Sequence, residues 1–164
     1  MSPENGTFTP AHFGDLMAEL PAGVAVITVK GDDEQPKGLV VTSLTAYTAE
    51  PPSILVSVAH SSRCYSALLA AEHFGVHVLQ VGQDAMASTF ASKADDKFAG
   101  LEWAWDGDVP RIAGSLAYLR CRTSKAFEHL DHTVMIGIIE EVERLEQVEP
   151  MLYLRRAFAW RVSG

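Results

Sequence analysis

Hydrophobic and polar positions change their period several times along the chain, and each change marks an element. Phe13, Leu16, Met17 and Leu20 recur at helical spacing behind Thr9 and Pro10, two residues suited to a helix start, and Pro21 stops the run. The β-branched run GVAVITVK, Gly23 to Lys30, reads as a strand and leads into the polar turn Gly31-Asp32-Asp33-Glu34. Gly38–Thr48 and Ser53–Ala59 follow as two strands whose continuous apolar character predicts burial on both faces. Ser61–Glu72 predicts a helix with Ser61 or Ser62 as its N-cap and Leu68, Leu69 and Ala71 turned inward. His73–Gln80 alternates as a strand, and Asp84–Phe98 reads as a helix with Met86, Phe90 and Ala94 on one face and Gly100 behind it. Trp103-Ala104-Trp105 and a turn at Gly107–Pro110 precede a strand at Ser115–Thr123. His132–Arg144 is a long strand that becomes charged as it leaves the core, and Met151–Val162 forms a last strand or a dimer-contact segment.

The pattern gives about six strands in series with two or three inserted helices, which favours a mainly β fold: an antiparallel barrel with helices packed outside it. Closure removes exposed sheet edges. An open α+β sheet fits the same pattern. No repeat, low-complexity tract or linker divides the chain, and 164 residues suit one domain over 1–164.

Composition narrows the partners. Lys and Arg total 13 against 21 Asp and Glu, a net charge of −8, which argues against nucleic acid or an anionic membrane. No apolar run is long enough to span a bilayer, and the opening residues lack the basic and apolar regions of a secretory signal. Two cysteines, Cys64 and Cys121, stand outside any C-x-x-C pair, so the default reading is a cytoplasmic protein with reduced, buried thiols.

The segment Pro36–Arg63 carries the densest chemistry. Thr42, Ser43, Leu44 and Thr45 combine hydroxyls with aliphatic surface, a wall able to hydrogen-bond the polar edge of a flat ligand while packing on its face; a half-exposed Thr/Ser-rich strand has the same composition. Ser61, Ser62 and Arg63 offer hydroxyls, free N–H groups and a bidentate cation to a phosphate, though an ordinary cap with a solvated Arg looks identical. Lys93 and Lys97 share a predicted helix face and can reach a phosphate, while Asp95 and Asp96 beside them also suit a solvated, salt-bridged face. Phe98 covers a ligand ring or fills core. Asp131-His132-Thr133 opens the long strand, with Asp131 placed to orient the His132 imidazole. Glu128, His129, Asp131 and His132 lack the helical spacing of a zinc pair, and His73 and His77 suit core or surface roles, so no metal site is expected.

These residues resemble the short-chain flavin reductases, the small components of two-component flavin-dependent monooxygenases. The likeness runs through Pro21–Thr28, Gly38–Thr45, Glu50-Pro51-Pro52, Ser61-Ser62-Arg63, Phe90-Ala91, Asp96–Gly100, Pro110–Ala117 with Cys121, Asp131-His132-Thr133 and Pro150–Tyr153. It spans nearly the whole chain, from about Phe13 to about Trp160, and it rests on the order and spacing of the motifs together. The resemblance implies a split β-barrel of the FMN-binding type, usually a homodimer with FMN or FAD near the subunit interface. It implies reduction of that flavin by NADH or NADPH, with reduced flavin passing to a separate oxygenase. It implies flavin contacts at Thr42, Ser43, Leu44, Thr45, Ser61, Ser62, Arg63, Lys97 and Phe98, and a nicotinamide contact at His132. The chain departs from the family pattern at Leu130 for Gly, His77 for Asn, Leu44 for Phe and Thr89 for Arg. A tight flavin-binding module without nicotinamide turnover, and a split-barrel oxidase acting on a small organic substrate, are the competing readings. Hydride transfer needs no nucleophile or paired carboxylates, and none is arranged by the sequence.

Overall fold

The computed structural model describes residues 8–161. Three helices, α1 (Pro10–Ala18), α2 (Tyr65–Ala70) and α3 (Asp84–Ala91), are set among twelve strands. The main sheet takes β2 (Ala25–Lys30), β3 (Pro36–Val41), β4 (Thr45–Ala49), β5 (Pro52–Ala59), β6 (His73–Val78), β9 (Ala117–His129) and β10 (His132–Arg144). Their order is β3-β2-β6-β9-β10-β5-β4, and every pairing is antiparallel. The chain therefore has the expected mainly β architecture.

The two edge strands, β3 and β4, are consecutive in the chain and separated by Thr42, Ser43 and Leu44 alone. Four Cα steps reach at most roughly 14 Å, so the sheet's two ends meet and the barrel is split along this seam. The Ser43 hydroxyl stitches it: Oγ donates to the Ser57 carbonyl and accepts from the Ser57 N–H, both at 3.1 Å.

β2 explains why the sheet buries so much. Ala25, Ile27 and Val29 face an interior cluster with Val56, Phe74, Cys121 and Met135, which Ala67 and Leu68 of α2 join. Val24 and Val26 face the opposite way, into a second layer with Leu79, Phe90, Phe98, Ile112 and Met151. A strand buried on both faces has to be largely apolar, and GVAVITVK is up to the exposed Lys30, with the buried Thr28 hydroxyl donating to the Pro110 carbonyl at 2.6 Å. His77 is a second buried polar residue on this side. It is fully buried, donates from Nδ1 to the Val26 carbonyl at 3.3 Å and accepts the Ile112 N–H at Nε2 at 3.0 Å.

Two small sheets complete the fold. The hairpin β7 (Trp103–Asp106) and β8 (Val109–Ile112) turns at Gly107, whose φ is 61°. Tyr118, Arg120 and His73 bond its turn carboxylates, Asp106 and Asp108. β1 (Ala22–Gly23), β11 (Leu152–Leu154) and β12 (Ala157–Trp160) form the other sheet.

The structure corrects several boundaries. The Gly38–Thr48 strand is two strands broken at Thr42–Leu44, and β4 is exposed along its whole length instead of buried. Its position at the sheet edge and its alternating small and hydroxyl residues account for that. The Ser61–Glu72 helix shortens to Tyr65–Ala70, with Cys64 at the N-cap and no side-chain cap bond. Ser62 Oγ instead accepts the Cys64 N–H at 3.3 Å, a local serine turn that competes with helix. The Asp84–Phe98 helix ends at Ala91, where Ser92 Oγ donates to the Thr89 carbonyl at 2.7 Å and accepts the Ala94 N–H. Trp103–Ile112 holds two strands that the pattern did not separate from loop, and the Ser115–Thr123 strand runs on to His129. Val162, the end of the last predicted strand, lies outside the described residues.

Candidate functional site

Shortening α3 leaves Ser92–Leu101 as an irregular segment, and it forms one wall of a cavity of about 1040 Å³. The opposite wall is the start of β3, and the Ser61-Ser62-Arg63 turn between β5 and α2 closes one side. The cavity thus gathers Ser61, Ser62, Arg63, Lys97 and Phe98 from two separated stretches of sequence, with the start of β3 as a third. Sequence reasoning about this cavity did not reach Lys37, Gly38 and Trp103, which also line it, or assign Phe90 to it. The aromatic face of α3 pointed to Phe90; Lys37 gave no signal beyond its charge.

Gly38 is required where it lies. A Cβ there would come within 2.6 Å of the Phe90 ring and 3.0 Å of the Ile27 carbonyl. The close approach lets the Phe90 ring lie against β3 and form a T-shaped pair with Phe98, centroids 5.3 Å apart. Phe98 is buried and packs in turn on Trp103. Its role in the structure is the apolar back of the cavity.

Two of the lining cations, Lys97 and Arg63, are already engaged. Lys97 Nζ donates to the Phe90 carbonyl at 2.7 Å and the Gly38 carbonyl at 3.4 Å, and burial lowers its pKa. Arg63 donates to the Ala94 carbonyl at 2.7 Å and lies 3.4 Å from the Asp95 carboxylate. Cys64, also on the wall, is held as a thiol because burial pushes its pKa up. Four cations and three carboxylates line the space, so the local charge opposes the net −8 of the chain. Aromatic backing, a Gly close approach and a Lys/Arg/Ser rim fit a phosphorylated ring compound.

Thr42, Ser43, Leu44 and Thr45 do not line this cavity. Thr42, Ser43 and Thr45 are exposed at the seam, Leu44 packs against the interior cluster, and the Ser43 hydroxyl is spent on the Ser57 backbone. His132 stands at the tip of the β9–β10 hairpin, half-exposed, with Nδ1 2.8 Å from Asp131 Oδ1. That pairing holds the Asp131 carboxyl below its usual range. The sheet register brings these pieces to one end of the barrel. His132 lies opposite Ala59, two rungs from Ser57, and the Asp131 carbonyl accepts the His60 N–H at 2.9 Å. His60 continues directly into Ser61-Ser62-Arg63. Its Nε2 contacts Thr133 Oγ1 at 3.0 Å, and Tyr65 reaches the same hydroxyl at 3.0 Å. No residue pattern signals this link between the hairpin tip and the segment that leads into the Ser61–Arg63 turn. Among the described residues no cluster of His, Cys, Asp or Glu is arranged to hold a metal.

The flavin reductase like domain matches residues 17–160, and the chain belongs to that family. It is 35% identical over 156 residues to a flavin reductase (NADH) of Kitasatospora aureofaciens, covering 92% of this chain and 82% of that protein. It is also 35% identical to an NADH:riboflavin 5'-phosphate oxidoreductase of Streptomyces pristinaespiralis, over 91% of this chain and 86% of the relative. The NADH:FAD oxidoreductase SgcE6 of Streptomyces globisporus, solved with NAD and FAD fragments, superposes with a TM-score of 0.89 at 29% identity, covering 97% of this chain and 98% of that one. The protein is thus an oxidoreductase of the flavin reductase type.

Proposed function

We propose that this protein uses NADH to reduce a flavin, FMN or FAD, and releases the reduced flavin to a separate monooxygenase. The observation that carries the reading is the convergence of Ser61, Ser62, Arg63, Lys97 and Phe98 on one cavity at the barrel end that also bears His132. The reaction moves a hydride from the dihydronicotinamide to the flavin and takes up one proton from solvent; the cofactor supplies the electronics. The protein's part is to hold two rings in contact. Arg63 and Lys97 hold the flavin phosphate, Phe98 and Phe90 back the cavity, and the seam residues Thr42–Thr45 border the ring. His132 Nε2 bonds the nicotinamide carboxamide, with Asp131 fixing the imidazole. The relatives named as reductase subunits of monooxygenases, such as HsaB of Mycobacterium tuberculosis at 34% identity, support the oxygenase partner.

The reading includes a homodimer working in the cytoplasm as one domain. Phe13, Leu16 and Leu20 of the first helical segment are each more than half exposed, an apolar stripe suited to a second copy. Among the described residues no helix is long and apolar enough to cross a membrane.

The test is consumption of NADH, followed by its near-ultraviolet absorbance, with FMN, FAD or riboflavin in excess. Many turnovers per protein support the reading. Flavin that binds without turnover favours a storage or electron-transfer module, and turnover only with an added organic substrate favours an oxidase.

A further inference from the structure

We infer that Asp95 is a built-in competitor for Arg63 that sets how tightly a phosphate-bearing flavin is held; the inference rests on the phosphate role of Arg63 proposed above. The Arg63 guanidinium has two partners across the cavity mouth: the Ala94 carbonyl at 2.7 Å and the Asp95 carboxylate at 3.4 Å. Both belong to the irregular segment after α3, and both line the same cavity as Ser61 and Ser62. A carboxylate on guanidinium presents the same charge and acceptor geometry that a phosphate would. An arriving phosphate therefore displaces Asp95 or shares Arg63 with a like charge.

The geometry makes displacement easy. The Asp95 side chain is fully exposed, while Arg63 is half-exposed. A pair so open to water is weak and yields to a better anion. Neighbouring Asp96 is occupied differently: its carboxylate accepts the Phe98 and Ala99 N–H groups at 2.9 and 3.0 Å, which fixes the segment beneath Lys97. Among the described residues Asp95 accepts no backbone N–H of the segment; its bond is the one to Arg63. It opposes phosphate without supporting the fold. A reductase that must let its product go benefits from a grip weakened at the phosphate end. Asp95 acts through Arg63 and is a positioning residue.

Binding of FMN and riboflavin, read by flavin fluorescence at low and high salt, tests this in the full-length protein and its Asp95→Asn, Asp95→Glu, Arg63→Ala and Arg63→Ala/Asp95→Asn variants. Loss of one like charge near a phosphate predicts FMN binding about three- to tenfold tighter in Asp95→Asn at low salt, with the gain shrinking as salt screens it. Riboflavin, which lacks phosphate, changes less than about twofold, Asp95→Glu keeps the parent affinity, and the gain disappears in the Arg63→Ala background. FMN affinity unchanged in Asp95→Asn, while Arg63→Ala still weakens it, overturns the role of Asp95 and leaves the phosphate site standing. An equal gain with and without Arg63 also overturns it, since Asp95 would then act as a general repulsive charge. FMN affinity unchanged by Arg63→Ala overturns both.

Discussion

Burial keeps the His77 imidazole neutral and lowers its pKa from 6.5 to about 4. The unfolded chain takes up a proton as pH falls below 6.5, and the folded chain refuses it until about pH 4. Stability is therefore fully present above pH 6.5, falls as pH drops through the interval, and levels off below about 4, a loss of roughly 3 kcal/mol. Urea midpoints measured between pH 8 and pH 5, roughly, give the slope. His77→Gln is less stable and flat across that interval; an unchanged slope in the variant assigns the proton elsewhere. Leu130 offers a second test. It is the first of two residues linking His129 to His132, with φ 54° and 83% exposure. A turn with positive φ at that position favours glycine, so Leu130→Gly gains or holds stability, by up to about 1 kcal/mol, read as a rise in Tm. A clear fall in Tm contradicts the strain. At this scale the sequence was readable where a residue's chemistry is local. The Leu-for-Gly departure at 130 is visible in the sequence. The partners of Ser43, Arg63 and His60 are not, because each is supplied by a strand or loop far along the chain.

The β9–β10 hairpin is the element that holds His132 beside the end of β5, just before the Ser61–Arg63 turn, and it does so through main-chain bonds to β5 and His60. Its tip is a reach, not a support, so removing the imidazole affects ligand more than fold. His132→Ala is expected to raise KM for NADH about five- to thirtyfold, consistent with losing one bond of about 1–2 kcal/mol, with flavin affinity within about twofold. Steady-state kinetics at saturating flavin decide it; unchanged KM removes His132 from the nicotinamide contact. Strand β2 was legible as a β-branched run buried on both faces, whereas β3 and the exposed β4 read as one strand. The helices were over-extended for a physical reason: Ser62 and Ser92 spend their hydroxyls on nearby backbone and stop α2 and α3 short. That early stop opens the cavity. The β7–β8 hairpin was read as a turn alone, although Asp106-Gly107 is a strong hairpin signal; a Pro at 110 and short strands of four residues hid the pairing.

For the molecule as a whole, the mainly β architecture was legible from the order of elements, which favoured a closed barrel but also fitted an open α+β sheet, and the split was implied by resemblance. The position of the seam was hidden inside what reads as one strand. Charge acts globally too. A chain of net −8 attracts no phosphate at a distance, so affinity for FMN has to come from the short-range donors at Arg63 and Lys97. The exposed face of α1 makes a further prediction. Sedimentation of the parent gives a dimer, and Leu16→Asp, at an exposed position, shifts it toward monomer while the far-ultraviolet spectrum is kept. A monomeric parent contradicts the dimer. The central claim, that the flavin phosphate lies between the Ser61–Arg63 turn and Lys97 with the ring toward the seam at Thr42–Thr45, is tested most directly by a crystal structure with FMN. Phosphate oxygens are expected within hydrogen-bond distance of Arg63 and Lys97, and the ring within reach of His132. Flavin bound elsewhere, with that cavity still spanned by Arg63 and Asp95, would contradict it.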